Sequence, residues 1–289
     1  MATPIGHLSD LSQRAAQTLS GVDVVAAEDT RVTRVLLRHI GSKAKLTSSH
    51  AHNARASIVT ILGHLSAGRT VALVSDAGTP AISDPGNAVV AAACEAGIEV
   101  VPIPGPSAVT ALLSAAGLSD GPFLFEGFLP ARPKARNERL AVAAAAAAAA
   151  GAVLVLYEAP HRVAGTLEAI AAGVGPGRRL AIGRELTKAF EEIWRGPAGD
   201  AVGWLAAKPE RGRGEFVIAV DRPAEADAST TPGDEAVAIE TERLLEHLLR
   251  ELPPSRAVRL AQQLTGAPHR ELYARALRLK AGADAAAGG

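Results

Sequence analysis

Hydrophobic and polar positions follow two periods in the first part of the chain. Ser12 to Ser20, Thr30 to His39, Ala56 to Ala67, Asn87 to Ala96 and Ser107 to Ala116 carry apolar residues at helical spacing. Between them lie short apolar runs at Asp23 to Ala27, Val71 to Val74 and Val100 to Ile103. That alternation predicts an α/β fold, a mostly parallel sheet with helices on its faces. Gly117 to Pro122 interrupts the pattern. Beyond it come a strand at Phe123 to Gly127, a basic loop, an alanine-rich helix, a strand from Val153, a helix at His161 to Ala172, and strands near Leu180 to Glu185 and Phe216 to Val220. The division expected is an N-terminal α/β domain over 1–118 and a second α/β domain over 119–222. A Pro/Ala/Asp/Thr-rich linker at 223–234 and a helical C-terminal region at 235–289 follow.

Two strand predictions end in similar loops. Val71 to Val74 runs into Ser75 to Gly86, and Val100 to Ile103 runs into Pro104 to Ala108. Loops at the carboxyl ends of neighbouring parallel strands are where open α/β sheets bind ligands. Asp76 and Asp84 sit among small residues that let backbone approach a ligand, while Ser107 stands where it can cap the next helix. Such a pocket suits a zwitterionic or cationic adenosine ligand better than a triphosphate.

Composition removes several classes. Lys plus Arg equals Asp plus Glu at 30 each, so a polyanionic partner must be met by local patches. The one cysteine, Cys94, rules out a disulfide framework or a cysteine zinc site and reads as a buried, inert thiol; no metal is expected. Residues 1–20 hold His7, Asp10 and Arg14 without an apolar core segment, so a cytoplasmic setting is expected. Leu140 to Tyr157 carries no charge, but Gly151 separates its alanines from a β-branched run, which suits a helix followed by a buried strand rather than a membrane span. Gly173 to Gly177 and Arg211 to Gly214 precede strands and read as turns, not as phosphate loops.

Eight segments carry more than pattern. They are Ala2-Thr3-Pro4-Ile5-Gly6, Ala27 to Arg31, Ser75 to Pro80, Ser83 to Gly86, Pro102 to Ala108, Phe125 to Phe128, Tyr157 to Arg162 and Gly183 to Lys188. In this order the chain resembles the small-subunit ribosomal RNA methyltransferases of the tetrapyrrole methylase superfamily, which use S-adenosylmethionine. The resemblance implies two α/β domains with the active site in the cleft between them. It also implies a homodimer that methylates the 2'-oxygen of a cytidine ribose in the decoding region of 16S ribosomal RNA, with neither DNA nor membrane as partner. Residues carried over for the cofactor are Asp76, Ala77, Gly78, Ile82, Ser83, Ser107, Ala108, Leu156 and Tyr157. Only Met1 precedes the first motif, where the family has an apolar strand, so that strand is expected to be absent or very short; His7 stands where the family generally has asparagine.

A ribose hydroxyl is a weak nucleophile and gains from a base. Glu158, His161 and Glu185 are the candidates, with Glu28 and Asp29 behind them. For RNA, Arg31, Arg34 and Arg38 share one helix face, with Val32, Val35 and Leu36 left for the core. Arg132, Lys134, Arg136 and Arg139 form a second patch, and Arg162 and Lys188 lie in the motifs above. Arg256, Arg259, Arg270 and Arg275 fall in a helix-turn-helix-like pair with Ser255 as N-cap, Gly266 as stop and Pro268 near the next start. Separated basic patches on a neutral chain favour a structured polyanion over a tetrapyrrole, the alternative substrate within the superfamily. A noncatalytic RNA-binding derivative is the reading from another class.

Overall fold

The computed structural model describes residues 1–49, 54–83, 86–223, 244–245, 247–249, 252–265, 272–273, 275–276 and 279. It divides into two units, Met1–Arg222 and Pro223–Gly289. The first unit holds two sheets. Strands β1 (Val24–Ala27), β2 (Lys45–Ser48) and β3 (Val71–Val74) form a parallel sheet in the order β2-β1-β3. Helices α1 (Gln13–Gly21), α2 (Thr30–His39), α3 (Ala54–Ser66) and α4 (Asn87–Glu95) accompany it. The Ser12 hydroxyl caps α1 by accepting from the Ala15 N–H, and the Asp29 carboxylate caps α2 by accepting from the Arg31 N–H.

Val100 to Ile103 is not a strand of this sheet. Pro102 has no N–H to donate, and the segment's recorded backbone link is the Ala2 N–H to the Ile103 carbonyl at 3.1 Å. Met1 lies alongside β3, its amine donating to the Leu73 carbonyl at 2.8 Å, and Thr3 bridges to Gly78. The short amino-terminal stretch therefore runs between β3 and Val100–Ile103.

The second sheet has the order β4-β5-β8-β6-β7, from β4 (Phe123–Phe128), β5 (Val153–Glu158), β6 (Arg179–Arg184), β7 (Glu192–Pro197) and β8 (Phe216–Val220). Only β4 and β5 are parallel; the remaining pairs are antiparallel. Both faces of β5 are buried. Leu154 and Leu156 pack with helices α6 (Pro133–Ala149), α7 (Val163–Val174) and α8 (Ala198–Ala206), while Val153 and Val155 join α5 (Ala108–Ala116), Ile5 and Leu186. In the second unit, α9 (Pro254–Thr265) contributes Val258 and Ala261 to a core with Leu245, Leu272 and Ala276. Among the described residues no helix is long and apolar enough to cross a membrane.

Three smaller expectations fail. Cys94 is exposed on α4, because the helix buries Val89 and Ala93 instead. Val32 and Val35 are exposed, since α2 turns Thr33, Leu36 and Leu37 inward. Ser255 lies inside α9, which already opens at Pro254. Gly266 and Pro268 lie outside the described residues.

Candidate functional site

A cavity of about 270 Å³ opens between loops of the two sheets. The β3 side supplies Ala77, Gly78, Thr79, Ile82 and Ser83, and the start of α5 supplies Ser107 and Ala108. The second sheet supplies Phe128 from β4, Tyr157 to Pro160 from the end of β5, Gly183 from β6, Leu186 from the loop after it, and Glu215 to Val217 at the start of β8. Its size is near the lower end for small-molecule sites, roughly 300–1,000 Å³.

The β3 loop achieves its shape through unusual backbone. Gly78, Ala81 and Ser83 take φ values of 75°, 67° and 65°. Left-handed non-glycine residues are uncommon and gather at functional sites. Ser107 occupies the N-cap position of α5, yet its hydroxyl makes no capping bond. Seven of the nine expected cofactor residues thus line one cavity: Ala77, Gly78, Ile82, Ser83, Ser107, Ala108 and Tyr157. Asp76 and Leu156 do not. The Asp76 carboxylate accepts from the Asp29 N–H at 2.8 Å, joining the β1 and β3 loops, and Leu156 is buried in the core. Asp84 lies outside the described residues.

The candidate bases separate by environment. The Glu158 carboxylate has no exposed surface; it accepts from the Ala159 N–H at 2.8 Å and the Thr166 hydroxyl at 2.6 Å, and pairs with Arg162 at 3.1 Å. Both its oxygens are thus engaged, and the residue is part of the cavity lining. His161 is exposed on that turn and stands outside the cavity lining. Glu185 accepts from the Lys188 ammonium at 2.9 Å and from the Glu215 N–H at 2.9 Å. Lys188 also donates to Glu215 at 2.8 Å, so one ammonium joins two carboxylates. Burial raises the Glu185 pKa, but the Lys188 and Glu215 hydrogen bonds outweigh it and leave the group below the ordinary value of 4.5.

The loop carrying this cluster is held from three sides. Glu185 and Thr187 have φ values of 50° and 63°. Buried Arg184 donates to the carbonyls of Arg213, Phe190 and Glu210, pinning the loops on either side. Gly6 lies so close that an added Cβ would stand 2.5 Å from the Lys188 side chain, and the His7 N–H donates to Thr187 Oγ1 at 3.1 Å. Glu215 gave no signal in the sequence. It stands one residue before an apolar strand and belongs to no quoted motif; only the fold sets it beside Lys188.

The expected RNA contacts divide in the same way. Arg34, Arg38, Arg132, Lys134, Arg256 and Arg259 are exposed. Arg31 is exposed but bound to Asp29 at 2.6 Å, which holds Asp29 down to about 2. Arg136 packs over Gly165, and Arg139 is bound to Glu126 at 2.5 Å. Arg162 is paired with buried Glu158, and Lys188 is shared between the Glu185 and Glu215 carboxylates. Arg275 is half-buried, and Arg270 lies outside the described residues.

The family model for Tetrapyrrole (Corrin/Porphyrin) Methylases matches residues 2–202, and that for the RsmI C-terminal HTH domain matches residues 235–280. Curated proteins called ribosomal RNA small subunit methyltransferase I are similar over nearly the whole chain. The one from Xylella fastidiosa strain Temecula1 is 45% identical, covering 94% of this chain and 96% of its own length. The one from Escherichia coli O157:H7 is 43% identical, covering 95% and 92%. Among solved structures, the methyltransferase CobJ has a TM-score of 0.58 at 21% identity, covering 76% of this chain and 92% of its own. The cobalt precorrin-4 methyltransferase CbiF has a TM-score of 0.56 at 17% identity, covering 75% and 92%. With this fold, this cavity and these relatives, the chain belongs to the tetrapyrrole methylase family, in its branch of small-subunit ribosomal RNA methyltransferases.

Proposed function

We propose that this chain methylates the 2'-oxygen of a cytidine ribose, position 1402, in the decoding region of 16S ribosomal RNA, with S-adenosylmethionine as methyl donor. The observation that carries the reading is the convergence of seven of the nine expected cofactor residues on one cavity, which Glu215 also lines and to which Lys188 ties Glu185. The lining fits such a donor. Small residues at Ala77, Gly78 and Ala108 expose backbone, Ser107 has a hydroxyl not spent on its helix, and Ile5, Leu186 and Val217 make apolar walls. Bound there, S-adenosylmethionine supplies a methyl group activated by its sulfonium.

The chain's own contribution is orientation, exclusion of water and proton removal. The carboxylate pair Glu185 and Glu215, joined through Lys188, supplies the base that takes the proton from the ribose hydroxyl, and Arg184 pins the loops that carry the pair. The exposed arginines of α2 and α9, with Arg132 and Lys134, contact RNA phosphates. Their contribution is electrostatic and weakens as salt rises. The acceptor is the assembled small subunit and the active species a homodimer, as the resemblance implies. A radiolabel transfer assay tests the reading against its rival within the superfamily. Label should pass to 16S ribosomal RNA in unmodified small subunits and not to uroporphyrinogen; transfer to the tetrapyrrole alone would reverse the assignment.

A further inference from the structure

The chain has few aromatic residues, five Phe, two Tyr and two Trp, yet Phe128 and Tyr157 both line the cavity and Phe125 packs on Tyr157. Phe125 lies edge-on to Tyr157 with ring centroids 4.9 Å apart, and Phe128 is tilted against the same Tyr157 at 5.5 Å. Phe128 lines the cavity while 52% of it remains exposed. Exposure alone would mean little, since Phe123 in the same strand is 50% exposed and takes no part in the lining.

What distinguishes Phe128 is how the backbone aims it. The pairing of β4 with β5 slips between Phe125 and Gly127, and Gly127 takes φ 75°. An irregularity of this kind inserts an extra residue and redirects the side chains that follow it. Here it brings Gly127 against the β3 loop, where a Cβ would meet Ser83 Oγ at 2.8 Å. The next residue is fixed as well, because Arg162 donates to the Leu129 carbonyl while paired with buried Glu158. Phe128 is thus a half-exposed ring lining the cavity, on a backbone clamped at both sides.

We propose that Phe128 is the platform on which the base of the acceptor nucleotide stacks. The inference rests on the RNA methylation reading above. A ribose can reach a recessed methyl donor only if its nucleotide leaves the stack, and an unstacked base gains from a protein ring. Stacking holds the nucleotide as its sugar turns toward the carboxylates, so Phe128 is a positioning residue.

The test compares wild type with Phe128→Ala, Phe128→Leu and Phe128→Trp, measuring kcat/KM on unmodified small subunits and S-adenosylmethionine affinity by calorimetry. Alanine and leucine should each lower kcat/KM about 10- to 100-fold, tryptophan should retain it, and donor affinity should stay within about twofold in all three. Leucine separates ring stacking from apolar contact. Unchanged kcat/KM in the alanine and leucine variants overturns the inference and leaves the methylation reading standing. A parallel loss of donor affinity also overturns it, by assigning the ring to the cofactor. If wild type itself transfers no methyl group to the subunit, the methylation reading fails and the platform with it.

Discussion

Glu185 is pulled in two directions, by burial that disfavours its charge and by the Lys188 ammonium and Glu215 amide that favour it. The second influence wins, so the carboxylate is ionised throughout the physiological range. Its lowered pKa also fixes a sign for stability. A carboxylate whose folded value lies below its unfolded value stabilises the fold fully above about 4.5, and that contribution disappears as pH falls through the folded value. Denaturation of wild type and Glu185→Gln should therefore show a constant difference from pH 7 to about 5 that shrinks under more acid conditions. In catalysis, Glu185→Gln and Glu215→Gln should each lower kcat about 100- to 10,000-fold with donor affinity retained. Single-turnover transfer rates check this; full activity in both variants would remove the pair from the reaction. Glu158 is as prominent in the sequence as Glu185, and the Ala159 N–H, the Thr166 hydroxyl and Arg162 engage its oxygens.

Among the elements, β4 carries a register slip beside the cavity, at Gly127. Gly127→Ala would put a side chain at φ 75° and press it against Ser83, costing about 1–2 kcal/mol for the left-handed backbone and more for the contact. In a Ser83→Ala background the contact part should fall away and the backbone part remain. Chemical denaturation of the two single variants and the double variant reads both parts; equal stability of Gly127→Ala and wild type would contradict this account of the bulge. Most helices and the apolar strands were legible, α8 being a helix that the pattern did not reveal. α2 starts at its Asp29 cap and ends at His39, within the range its spacing predicts. Two of the edge strands, β2 and β7, were not. Lys45–Ser48 has no apolar run to reveal it, and Glu192–Pro197 mixes charge and glycine because one side of it meets solvent. Val100 to Ile103 erred the other way. Its residues have the composition of a strand, but Val100 and Val101 stay exposed and Pro102 cannot donate to a ladder. The β3 and α5 loops could be read as a ligand site because their small residues and prolines mark them, whereas the carboxylate pair joined a motif residue to one 30 positions away.

On the scale of the whole molecule, a chain with equal numbers of acidic and basic residues meets a polyanion through placement rather than total charge. The first unit carries exposed arginines on α2 and at the start of α6, and the second carries Arg256 and Arg259 on α9. Fold alone does not choose the acceptor, since CobJ and CbiF share the architecture. The near full-length relatives and the basic surfaces favour RNA. The most direct measurement is mass mapping of 16S ribosomal RNA from cells with and without this gene. The account predicts loss of one ribose methyl group, on a cytidine of the decoding region, restored by wild type and not by Glu185→Gln. An unchanged set of ribose methyl groups in the cells lacking the gene would contradict it.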